Sequence, residues 1–162
     1  VIGAGMPVGA YAGREDIMEY VAPNGPVYQA GTLSGNPIAM VAGYTLLSYL
    51  KDNPSVYQEL DERCKSIHVG LEKALKSTSL PWTINRQGSM ISLHFTKEKV
   101  YDFKSAGKGA NDYFKQFFHG MLNRGVYLPP SAYESWFLNT ALSDDDIKQT
   151  LVAAEETFTE MH

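Results

Sequence analysis

Residues Gly25–Met40 read "GPVYQAGTLSGNPIAM". A helix start needs one or two small polar residues, yet Gly31, Thr32, Ser34, Gly35, Asn36 and Pro37 crowd together ahead of an apolar run. Such a surplus suits a backbone that must come close to another group. A glycine-lined loop entering a helix N-terminus presents N–H groups and the positive end of the helix dipole, a seat for an anion such as phosphate. Gly31 would permit the approach, and Thr32 would add a hydroxyl donor. The plainer alternative is that Ser34 or Asn36 simply caps the helix.

Pro37 fits the first helical position, where its missing N–H is not needed. The run that follows, "IAMVAGYTLLSYL", is almost wholly apolar, which predicts a helix buried on most sides. Upstream, "MPVGAYAGR" predicts a strand over Val8 to Ala12. "REDIMEYVA" predicts a short helix with Ile17, Tyr20 and Val21 on one side, ending at Pro23-Asn24-Gly25. Asn53-Pro54 punctuates the chain and marks the expected domain boundary.

Beyond that boundary the pattern reads helix, strand, helix, strand, strand, helix: a small α/β domain. "SVYQELDERCKSIHVGLEKALKS" is a long amphipathic helix with Val56, Leu60, Ile67, Leu71 and Leu75 in its stripe. "SMISLHF" alternates as a strand, with Ile91, Leu93 and Phe95 on one face. "GANDYFKQFFHGMLNRG" is a helix stopped by Gly125. "VYLPPSAYESWFLN" predicts a short strand, a Pro-Pro loop and a second strand. In the closing helix, "SDDDIKQTLVAAEETFTEM", Ser143 is the N-cap and three aspartates occupy the first turn. The part before Asn53 lacks the elements for a complete core and resembles the tail of a larger domain.

The composition narrows the partners. A net charge of −4 and the lack of any basic run exclude an electrostatic footprint for nucleic acid or an anionic membrane surface. No apolar run approaches the roughly 20 residues of a membrane span. A small-molecule ligand or another protein surface is therefore expected. Cys64 is the one cysteine, without a second thiol for a disulfide or for metal-ligand spacing, which fits a reduced, intracellular setting. His68, His94, His119 and His162 are scattered: a helix flank, the polar side of a strand, a late helix position and the terminus. No metal site is expected from them. Glu134 lies in the loop "PPSAYESW", between aromatics, where a solvated carboxylate and a binding carboxylate are both open readings.

The stretch "IGAGMPVGAYAGREDIMEYVAPNGPVYQAGTLSGNPIAM", together with "GVYLPPSAYESWF" and the closing helix, resembles the aminomutases among the class III pyridoxal-phosphate enzymes. "YQAGTLSGNP" is the specific part; related ω-aminotransferases resemble it mainly in the threonine and the following "GNP". The resemblance implies an α/β, fold-type I PLP-dependent transferase. Residues 1–52 would be the end of the large PLP-binding domain, and residues 53–162 the C-terminal small α/β domain.

The same resemblance implies a cytoplasmic homodimer with shared active sites, using pyridoxal 5'-phosphate or pyridoxamine 5'-phosphate. The implied reaction is an intramolecular amino transfer from glutamate-1-semialdehyde to 5-aminolevulinate, for tetrapyrrole (porphyrin) synthesis. Gly31 and Thr32 would hold the cofactor phosphate of the neighbouring subunit. Tyr28, Gln29 and Glu134 would lie near the substrate. The family's Schiff-base lysine would stand immediately before Val1, so none of the ten lysines present is expected to carry that role. On that reading the chain is a C-terminal part and is inactive alone. Two rivals remain open: a class III ω-aminotransferase, and a non-catalytic dimerisation or cofactor-binding module.

Overall fold

The computed structural model describes residues 2–161. The chain divides into two compact units, Val1–Pro54 and Ser55–His162, so the division falls beside Asn53-Pro54.

The first unit holds a short helix α1, Glu15–Met18, and a sixteen-residue helix α2, Pro37–Asp52. Pro37 opens α2, as its fixed φ and missing donor favour. The strand expected over Val8–Ala12 does not form. A strand needs a neighbour's ladder, and this unit offers only an isolated bridge between Val21 and Val27 among the described residues. Burial of α2 on most sides is also not observed. Only Ala39 and Gly43 are buried, while Ile38 is 68% and Tyr44 75% exposed. The reason is one of supply: α1 and its loops offer too little surface to cover a helix of that length.

The second unit has a core of its own. Helix α3, Ser55–Lys76, buries Cys64, Ile67, Leu71 and Leu75 along one stripe; Val56 and Leu60 are half-buried at its start. Strands β1, Thr83–Gln87, and β2, Met90–His94, form an antiparallel hairpin in which Ile84 faces Leu93. β2 continues to a two-residue strand β3, Trp136–Phe137, giving the order β1-β2-β3. Ile91, Leu93 and Phe95 enter the core as the alternation predicts. β1 is an addition to the predicted order, and the strand expected at the start of "VYLPPSAYESWFLN" is absent. Residues 126–128 run without ladder pairing.

A short helix α4, Phe103–Ala106, and a 3₁₀ turn, Gly107–Gly109, lead into α5, Asp112–Asn123. Gly109 lies against His94: a Cβ there would stand 3.0 Å from the His94 Cβ. His94 is therefore buried, not on a solvated face. The last helix, α6, Asp144–Glu160, starts from a capping box between Ser143 and Asp146.

Helices α3, α5 and α6 pack together, and the sheet lies against α3. Close approach at both α6 contacts depends on glycine. A Cβ on Gly70 would fall 2.4 Å from Leu151 Cδ2, and one on Gly120 would fall 2.4 Å from Thr157 Cγ2. Phe95, Phe117 and Phe158 fill the space between sheet and helices, with the Phe95 ring edge-on to Phe117 at 5.6 Å. Among the described residues, no helix is long and apolar enough to cross a membrane.

Candidate cofactor and substrate sites

In the first unit, Val27 donates its amide to Tyr20 O and accepts from Ala22 N, each at 2.8 Å. These bonds anchor the start of the loop and leave Tyr28 projecting, 82% exposed. Gln29 and Ser34 then border a shallow open depression with Gly9, Ala10 and Tyr11. Two small turns follow: Ser34 N donates to Gly31 O at 2.9 Å, and Asn36 N donates to Leu33 O at 3.1 Å. Gly31 sits where a Cβ would come within 2.9 Å of Ser34 Oγ, and Gly35 adopts φ +72° within the second turn.

Asn36, not Ser34, caps α2. Its Oδ1 accepts from Ile38 N at 3.1 Å and from Ala39 N at 3.2 Å. Of the two readings of this helix start, the capped one is observed, because the side chain has taken the first amides. Among the described residues, the amides of Gly31, Thr32 and Leu33 and the Thr32 hydroxyl have no hydrogen-bond partner. That donor set faces solvent and suits an oxyanion. Lys51 is the one lysine between residues 2 and 54, near the far end of α2. Fourteen residue-to-residue steps of helix separate it from Pro37, roughly 21 Å.

Glu134 belongs to the second unit. Its amide donates to Ser131 O at 3.1 Å, and its side chain is exposed. The residues on either side are fixed. Tyr133 stacks on Phe103, with ring centroids 4.8 Å apart and planes 18° apart. Ser135 Oγ shares a 2.8 Å hydrogen bond with Ser92 Oγ on β2. The carboxylate is thus presented from a pinned turn rather than a loose one. Phe103 and Ser92 are supports that the sequence alone does not reveal. Their signal was weak: an aromatic after "VYD", and a serine on the polar face of a strand.

Two units thus carry the candidate residues: Tyr28, Gln29, Gly31 and Thr32 share one loop of the first, and Glu134 lies in the second.

Comparison with known proteins gives these features a family. The model of the family described as aminotransferase class-III matches residues 1–155. A curated glutamate-1-semialdehyde 2,1-aminomutase from Flavobacterium johnsoniae is 53% identical over 156 residues, covering 96% of this chain and 36% of that protein. The chain thus spans about a third of the length of such relatives. Among solved structures, a beta-phenylalanine aminotransferase from Variovorax paradoxus is 29% identical with TM-score 0.77, over 96% of this chain and 36% of that one. A glutamate-1-semialdehyde-aminomutase from Pseudomonas aeruginosa PAO1, in complex with PMP, is 20% identical. Its TM-score is 0.71, over 86% of this chain and 31% of that one, a likeness of fold. The architecture is that of part of a fold-type I PLP-dependent transferase, and the chain belongs to the aminotransferase class-III family.

Proposed function

We propose that this chain is the C-terminal part of an enzyme that converts glutamate-1-semialdehyde to 5-aminolevulinate by moving an amino group within one molecule. The observation that carries this reading is the 53% identity to an aminomutase across nearly the whole chain. Residues 1–52 would end the large cofactor-binding domain and residues 53–162 would form the small domain.

The loop fits the phosphate of pyridoxal or pyridoxamine 5'-phosphate. Its exposed amides at Gly31, Thr32 and Leu33 and the Thr32 hydroxyl are donors, and the missing Cβ of Gly31 lets Ser34 Oγ fold close within the turn that presents them. When bound, the cofactor supplies the electron sink for amino-group transfer. Gly31 and Thr32 would hold that phosphate from across a homodimer interface, so that two subunits share each site. Tyr28 and Gln29, just before the loop's donors, would offer a phenol and a carboxamide to the substrate. Glu134 would accept hydrogen bonds from the substrate's amino groups, an acceptor suited to nitrogen at either of two carbons. A cytoplasmic setting accords with Cys64 as a buried free thiol.

A second reading has its own support: the likeness to a beta-phenylalanine aminotransferase favours transfer to a separate keto acid. Turnover separates the two. The full-length protein, given glutamate-1-semialdehyde and no added amino acceptor, should form 5-aminolevulinate through many cycles. An added keto acid converted to its amino acid at the expense of the substrate's nitrogen, with no 5-aminolevulinate formed, would establish the aminotransferase reading instead.

A further inference from the structure

The first turn of α2 accounts for every one of its amides. Pro37 has none; Ile38 and Ala39 donate to Asn36 Oδ1 at 3.1 and 3.2 Å; Met40 donates to Asn36 O at 2.9 Å. An anion arriving at this terminus would meet no unengaged donor and would have to displace the cap. Asn36 also reaches backward, since its own amide closes the second turn onto Leu33 O. One residue thus ties the rigid helix to the Leu33–Ser34 peptide, whose amide in turn donates to Gly31 O and closes the turn that carries Thr32 and Leu33.

We infer that Asn36 is the positioning residue of the phosphate loop: its side chain closes the end of α2 and so holds in place the backbone amide that ties the loop to the helix. The amides at Gly31 to Leu33, not the helix terminus, are then the backbone donors to the phosphate. This rests on the reading of that loop as the cofactor-phosphate site. Asn36 itself touches no phosphate. Its contribution is preorganisation: loop amides already aimed need not be ordered when the anion binds.

The alternative predicts the opposite sign. Were the helix terminus the phosphate seat, removing the cap would free two amides and tighten binding. Were the loop the seat, removing the cap would loosen it. Titrating pyridoxamine 5'-phosphate into full-length apoprotein, followed by absorbance, distinguishes them. Asn36→Ala should weaken affinity by roughly two- to thirtyfold, the fold-change that corresponds to a lost N-cap. Asn36→Ser, which can still cap, should return it to within about twofold of wild type. Pyridoxamine without its phosphate should bind both variants as it binds wild type, a result that general loss of fold would not give.

Hydrogen exchange on the wild type supplies a measurement independent of any variant's folding. Pyridoxamine 5'-phosphate should protect peptides covering residues 28–35 and leave those covering 37–44 unchanged. Thr32→Val tests the underlying reading: if it does not weaken phosphate-dependent affinity, the loop site falls and this inference with it. If Thr32→Val weakens affinity while Asn36→Ala binds as tightly as wild type or tighter, the loop site stands and the role given to Asn36 is overturned. New protection in 37–44 overturns it as well.

Discussion

The ring of Phe117 on α5 stacks on Phe158 of α6, with centroids 5.0 Å apart and planes 10° apart. Both rings are 1% exposed, and Trp136 of β3 lies parallel to Phe117 on the sheet side at 6.1 Å. One aromatic stack therefore joins the last helix to the sheet edge through α5. Phe158→Ala removes a ring that close-packed neighbours cannot replace, at about 3–5 kcal/mol. Trp82 and Trp136 are the two tryptophans of the chain, and both belong to the second unit. Denaturant unfolding of the 162-residue chain, followed by tryptophan fluorescence, reads that unit directly. A midpoint unchanged by Phe158→Ala would contradict the assignment of the stack to the core.

Much of this second unit was legible because its signals are periodic. Ile67, Leu71 and Leu75 recur every four residues, and Ile91, Leu93 and Phe95 every two; Ser143 and its aspartates mark a helix start. β1 was not legible. "TINRQ" has one large apolar residue, Ile84, and becomes a strand because β2 pairs with it. In the first unit, the apolar run of α2 signalled a helix but not its surroundings, since hydropathy reports a need for cover and not whether cover is present. The candidate loop was legible in composition. Its donor pattern was not, because which of Ser34 and Asn36 caps the helix depends on where the two turns fall.

His94 gives the second unit a pH dependence of defined sign. It is 6% exposed, its Nδ1 has no partner among the described residues, and burial pushes its pKa below the ordinary value of 6.5. Burial is the one cause of that lowering, with no contribution from a neighbouring charge. The unfolded chain therefore takes up a proton at this histidine before the folded chain does. The contribution is fully present above about pH 6.5 and is lost as pH falls toward the depressed folded value. One proton changes stability by at most about 1.4 kcal/mol per pH unit. Unfolding midpoints at pH 8 and pH 5.5 should differ less in His94→Leu than in wild type. An equal difference in the two proteins would show that His94 is not the group responsible.

Glu134→Gln in the full-length enzyme should impair substrate steps more than cofactor binding. Stacking at Tyr133 and the Ser135–Ser92 bond hold the turn, so the amide should occupy the same position without the charge. Losing a charged hydrogen bond costs about 1.5–3 kcal/mol. Catalytic efficiency should fall roughly ten- to a hundredfold, with pyridoxamine 5'-phosphate affinity near wild type. Unchanged kinetics with weakened cofactor binding would move Glu134 out of the substrate site.

Thr32 should serve the phosphate of the partner subunit rather than its own. Its hydroxyl lies in an exposed turn whose Gly31, Thr32 and Leu33 amides have no partner among the described residues, so the donor set is presented outward. The arrangement in trans is tested by mixing two inactive full-length variants. One has its cofactor-linking lysine replaced; the other carries a disabling change at Thr32. If each site draws its lysine from one subunit and its threonine from the other, a hybrid dimer holds one site with both parts intact and one with neither. Activity should then reappear on subunit exchange, reaching up to about half of wild type per hybrid dimer, since one of two sites is restored. If the loop served its own subunit, each hybrid site would lack one part and mixing would restore nothing. Hybrid dimers confirmed by mass, with no recovered activity, would refute the shared site.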